Sequence, residues 1–117
     1  MRCRRSLAFL TVLLAACGGG KDAPVDPPSN APRTATVTML PSAFIPFSTT
    51  IAVGGTVTFE FPPGIDHNVI FERQTGAPQD IQITRNASVD RKFTTQGTYA
   101  YDCRIHPGMI GEVVVVP

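Results

Sequence analysis

Ala35, Val37 and Met39 alternate with threonines, and Val57, Phe59 and Phe61 alternate with Thr58 and Glu60. A period of two puts one apolar face on each stretch and predicts two half-buried strands. Ile51-Ala-Val53 runs into Gly54-Gly55, a turn signal, so a short strand leads into the second of them. Pro62-Pro-Gly64 ends that strand, and His67-Asn-Val-Ile-Phe71 opens another whose apolar run predicts burial on both faces. Thr75-Gly-Ala-Pro78 marks a loop. Val89, Arg91 and Phe93 alternate before Thr95-Gln-Gly97, and Tyr99, Tyr101 and Cys103 share one face of the strand after it. Ile110-Gly-Glu-Val-Val-Val-Val116 restarts as the final strand. No stretch carries a helical period. Short strands separated by Gly and Pro turns predict an all-β chain, an antiparallel sandwich of Greek-key type with about seven to eight strands. Tyr99, just after a Gly-containing turn, is placed as a tyrosine corner whose hydroxyl bonds back to an upstream loop.

The pattern begins only near residue 33. Met1-Arg-Cys-Arg-Arg-Ser6 is a basic head, and Leu7 to Ala16 is an apolar run too short to anchor stably across a bilayer. Residues 1–16 therefore read as an export signal peptide. The run closes with Leu14-Ala-Ala-Cys17, which resembles the lipobox of bacterial lipoproteins, where cleavage precedes the cysteine and lipid is attached to it. The alternative is an ordinary small-residue cleavage site that contains a cysteine. Residues 17–32 continue as Gly-Gly-Gly-Lys-Asp-Ala-Pro-Val-Asp-Pro-Pro-Ser-Asn-Ala-Pro after Cys17, a tether without apolar periodicity. The domain is then 33–117, in an extracytoplasmic compartment on the periplasmic side or at the cell surface. With Arg2, Arg4 and Arg5 removed, seven basic side chains face nine acidic ones, a net charge of −2. No basic patch remains of the kind that tracks nucleic acid.

Of the three cysteines, Cys3 would leave with the signal and Cys17 would carry the lipid, which leaves Cys103 without a disulfide partner in the mature domain. A lone thiol in an oxidising compartment needs a cap. His106 and Met109 follow Cys103 with two residues between each pair, and the only other histidine is His67. Taken singly these have ordinary explanations: a buried cysteine packs as a small hydrophobe, and a methionine beside Ile110 fills a core. Taken together, two imidazoles, one thiolate and one thioether suit a trigonal copper site with a weak axial methionine. Asn68, next to the first histidine, is placed to tie the two ligand segments together by side-chain hydrogen bonds.

The segments Ser42-Ala-Phe-Ile-Pro46, Ile51-Ala-Val-Gly-Gly-Thr-Val-Thr-Phe59, His67-Asn-Val-Ile-Phe71 and Gly97-Thr-Tyr-Ala-Tyr-Asp-Cys-Arg-Ile-His-Pro-Gly-Met109 resemble the small blue copper proteins, the cupredoxins of the plastocyanin and azurin family. The gap between His106 and Met109 is similar to that of amicyanins. The resemblance implies a cupredoxin-like sandwich, one type 1 copper on His67, Cys103, His106 and Met109, and electron transfer as the activity, with no catalysis. Two departures stand out: Asp66 precedes the first ligand, where an amicyanin-like protein would have proline, and Pro107-Gly108 leaves the ligand loop without a bulky side chain.

The expected partners are a c-type cytochrome or a membrane or periplasmic oxidoreductase meeting a monomer. Ile65 and Pro107 would form an apolar docking patch beside His106, with Asp66 and Arg104 as steering charges. A copper carrier or sequestering lipoprotein without a redox role is the alternative; it would want an exposed, methionine-rich site, and beyond the signal the chain has only Met39 and Met109. An enzyme would need an open metal position or a nearby carboxylate, for which Asp66 is the one candidate.

Overall fold

The computed structural model describes residues 30–117, so the expected export signal (1–16), Cys17 and most of the expected tether lie outside the described residues. Among these described residues nine strands follow one another: β1 (Thr34–Leu40), β2 (Ala43–Ile45), β3 (Ser48–Ala52), β4 (Thr56–Phe61), β5 (His67–Phe71), β6 (Ile81–Thr84), β7 (Ala87–Lys92), β8 (Gly97–Asp102) and β9 (Ile110–Val116). Among the described residues there is no helix. One sheet has the order β2-β1-β4-β7 and the other β3-β9-β8-β5-β6. The expected two-sheet, all-β sandwich is what forms.

Two details differ from the expectation. Strands β2 and β6 were not legible as strands, because β2 is three residues between Pro41 and Pro46 and β6 is an edge strand with Ile81 buried but Ile83 61% exposed. Neither is long enough to display an alternation. The sheets are also mixed: β1 pairs with β4, and β3 with β9, in parallel. A parallel pair cannot be closed by a hairpin. The chain leaves β1 through β2, crosses to the other sheet as β3 and returns as β4, and that crossing makes the two pairs parallel.

The alternation read in the sequence decides which side chains face inward. Val37 and Met39 from β1 and Val57, Phe59 and Phe61 from β4 pack against Val69, Phe71, Tyr99, Tyr101, Val113 and Val115 of the opposite sheet. Tyr101 is the hub of this core. The rings of Phe44, Phe59 and Phe71 meet it edge-on at centroid separations of 4.8, 5.4 and 5.7 Å, the geometry that ring quadrupoles favour. Tyr99 forms the expected corner, its hydroxyl donating to the Thr95 carbonyl at 2.6 Å.

Strand direction fixes the two ends of the sandwich. β8 ends at Asp102, paired with Ile110 at the start of β9, so residues 103–109 cap one end. Ile70 of β5 pairs with Asp102, which brings the start of β5 and its preceding loop 62–66 to that same end. The chain enters at the other end, where Ala52 N–H donates to the Pro32 carbonyl and Val53 N–H to that of Val116.

Tyr101 owes its position to a glycine across the ladder. A Cβ on Gly111 would lie 2.6 Å from the Tyr101 ring and hydroxyl. Gly111→Ala is therefore expected to force the ring off its seat and lower the unfolding free energy by about 1–3 kcal/mol, the usual cost of an extra methyl in a packed core; urea denaturation measures it, and an unchanged midpoint would show that the ring yields freely.

Candidate metal centre

His67 is the first residue of β5 and is fully buried; its backbone pairs with Thr84 of β6. Cys103 follows the last residue of β8 and continues the inward face of Tyr99 and Tyr101, with 3% of its surface exposed. The connection to β9 folds back on itself. Cys103 N–H donates to the Met109 carbonyl at 2.9 Å, and Met109 N–H to the His106 carbonyl at 3.2 Å. Gly108, at φ 80°, supplies the left-handed residue that this tight return requires. Met109 is buried and His106 half-buried.

The folding brings three of the predicted ligands together. Cys103 Sγ lies 3.9 Å from His67 Nδ1 and 3.5 Å from His106 Nδ1. The ligand atoms of these three residues all lie within 4.8 Å of one another. A metal with bonds of about 2.0–2.1 Å to nitrogen and 2.3 Å to sulfur would, in trigonal geometry, hold N and S about 3.7–3.8 Å apart, so the observed separations bracket what one ion needs. The imidazole rings stand 4.7 Å apart at 49°, splayed rather than stacked.

Electrostatics favour ligation. Burial first, and the neighbouring His106 second, push the His67 pKa below its ordinary value, against a smaller opposing pull from Asp66. Neutral imidazole, the form that binds metals, is thereby favoured. With Nδ1 turned toward the thiol, the remaining Nε2 is buried and has no hydrogen-bond partner among the described residues.

Asn68 performs the tie read from the sequence: its Oδ1 accepts the Arg104 N–H at 2.8 Å, joining the start of β5 to the residue after Cys103. Ile65 is half-buried and Pro107 exposed, on the two loops that share this end. Asp66 behaves differently from the carboxylate of an open catalytic site. It is outside the His67, Cys103 and His106 cluster and accepts from Arg85 Nε at 2.6 Å, a contact that also lowers its pKa. Arg85 carried no sequence signal, since nothing in the chain marks a pairing between positions 19 apart. Ile105, 38% exposed on the ligand loop, also went unread as an apolar surface residue.

Residues 34–116 match the family described as copper binding proteins, plastocyanin/azurin family. Amicyanin-alpha from Methylorubrum extorquens is 37% identical over 68 residues, 56% of this chain and 57% of its own length. Plastocyanin from Scenedesmus fuscus is 36% identical over 83 residues, 62% of this chain and 85% of its own. Among solved structures, a reduced Cu(I) form of an amicyanin variant superposes with a TM-score of 0.63 at 28% identity, covering 78% of this chain and 87% of that one. A copper-containing nitrite reductase from Thermus scotoductus gives 0.64 at 26% identity, and there 81% of this chain matches 25% of the enzyme. A buried thiol and two imidazoles held in one cluster, on this fold and across nearly the whole described domain, place the chain in the plastocyanin/azurin family of copper-binding proteins.

Proposed function

We propose that this protein is a type 1 copper electron carrier, not an enzyme, held outside the cytoplasm by lipid on Cys17. The observation that carries the copper reading is the approach of His67 Nδ1 and His106 Nδ1 to the buried Cys103 Sγ in one cluster. His67, Cys103 and His106 would bind as the strong ligands and Met109 as the weak axial one, the donor set suited to blue copper. Copper so bound supplies a Cu(I)/Cu(II) couple able to take up and release one electron.

The residues around it have separable tasks. Cys103 and His67 are closed to solvent, which shields the thiol from oxidation and the site from water. His106 is the ligand whose ring a partner can approach. Pro107 adjoins it in the chain and Ile65 lies on the loop that shares this end, and together they would give a small apolar contact of the size that suits a transient redox encounter. A c-type cytochrome, or a membrane or periplasmic oxidoreductase, fits that description. Burial of both Met39 and Met109 favours this reading over a copper carrier with exposed methionines. Residues 1–16 as signal peptide, 17–32 as lipidated tether and 33–117 as the copper domain complete the proposal. Chain entry at the end opposite His106 agrees with it, since a tether rooted there leaves the metal end free.

Substitution of the ligands separates their roles. Cys103→Ser is expected to abolish the thiolate-to-copper absorption, because a hydroxyl is a hard and poorly deprotonated donor. Met109→Leu is expected to keep that absorption and raise the reduction potential. The reverse pattern in absorption spectra and voltammetry would overturn the assignment of roles. Cys17→Ala is expected to move the protein from the membrane to the soluble fraction, since acyl chains and no basic patch supply the affinity; a wild-type protein already soluble and unmodified would refute the anchor. Ile65→Glu is expected to slow electron exchange with the partner about threefold or more while leaving the copper spectrum unchanged, as for a desolvated contact replaced by charge. Stopped-flow rates that do not move would place docking elsewhere.

A further inference from the structure

Asp66 is a carboxylate directly before a buried ligand, on a loop that also carries Ile65. Two contacts grip that loop from the β6–β7 turn. Arg85 Nε donates to Asp66 Oδ1 at 2.6 Å at the end of the loop, and Asn86 N–H donates to the Pro62 carbonyl at 3.1 Å at its beginning. The register explains why they meet: His67 pairs with Thr84 in antiparallel sense, so Asp66 and Arg85 are the next positions outward on each chain. Asn86 takes a left-handed backbone at φ 50°, which turns the chain from β6 into β7 just where its N–H reaches the loop.

The pair is partly exposed, with 57% and 40% of the two side chains accessible. An exposed ion pair adds little to global stability, so its effect is local. An unpaired negative charge beside a metal favours the more positive oxidation state, and a cation on that carboxylate removes the bias. We propose that Arg85 sets the redox balance of the copper site from outside it, by holding the Asp66 carboxylate away from the ligand cluster and cancelling its charge. Arg85 is thus a positioning residue, acting through Asp66 on the loop before His67. The inference rests on the copper reading above, and its clamp part is measurable without metal.

Three variants test it: Arg85→Gln, Asp66→Asn and the pair combined. The redox readout is the one-electron equilibrium of copper-loaded protein with ferrocyanide, in which Cu(II) protein and ferrocyanide give Cu(I) protein and ferricyanide. Arg85→Gln should shift that equilibrium toward Cu(II) about three- to eightfold, the size expected for one uncompensated charge at short range in a water-rich medium. Asp66→Asn should shift it toward Cu(I), and the double variant should return to within about twofold of wild type, because removing both charges restores neutrality. Singles that leave the equilibrium unchanged, or that both move it the same way, overturn the proposal. In the metal-free protein, amide hydrogen exchange of residues 65–68 should rise about threefold or more in each single variant, with that of Tyr99 at the far side of the core unchanged. Unchanged exchange at 65–68 refutes the clamp. A protein that shows this exchange response yet gives no copper-thiolate absorption retains the clamp and loses the copper reading instead.

Discussion

The structure depends on one demanding arrangement: a buried thiol, one buried imidazole and one half-buried imidazole within 4.8 Å of one another, contributed by segments 36 residues apart. Buried polar side chains are costly unless something pairs with them, and here they are each other's neighbours. The two-sheet frame meets that demand by geometry. β8 delivers Cys103 at its end, β5 begins at His67 beside it, and the loop to β9 turns His106 back over the thiol. His67 and Cys103 sit at junctions of a strand and a loop, where backbone pairing fixes one side, and His106 sits within the loop whose tight turn brings it back over the thiol.

The surroundings keep this end of the sandwich rigid through contacts that cross between segments. Asn68 bonds the residue after Cys103, and the Cys103 and Met109 backbones bond each other. Tyr101, two residues from the thiol, is wedged between aromatic edges and Gly111. Such preorganisation matters for a metal site, since a pocket that already holds its donor groups has little to rearrange when a metal binds. The Asp66–Arg85 pair adds a restraint on the outer side of the same loop, so the ligand-bearing segment is held from both flanks.

Much of this was legible in the residues. Strands with strict alternation, such as β1 and β4, declared both themselves and their buried faces, and the spacing of Cys103 and His106 pointed to the loop that brings those two side chains together. Asn68 was readable because it adjoins a ligand. The parts that escaped are those whose determinants are tertiary. β2 and β6 are edge strands defined by what they pair with rather than by their own pattern. The parallel pairings of β1 with β4 and β3 with β9 follow from where the chain crosses between sheets, which no local period encodes. Asp66 could be seen as unusual, yet its partner Arg85 could not, because the antiparallel register that juxtaposes them exists only in the folded sheet.

The central claim, that the buried cluster binds copper through the Cys103 thiolate in a trigonal field, is most directly tested by the electron paramagnetic resonance and absorption spectra of the copper-loaded, oxidised wild-type protein. The account predicts an intense visible thiolate-to-copper band together with narrow copper hyperfine splitting. A weak visible spectrum with the wide splitting of a tetragonal nitrogen and oxygen site would contradict it.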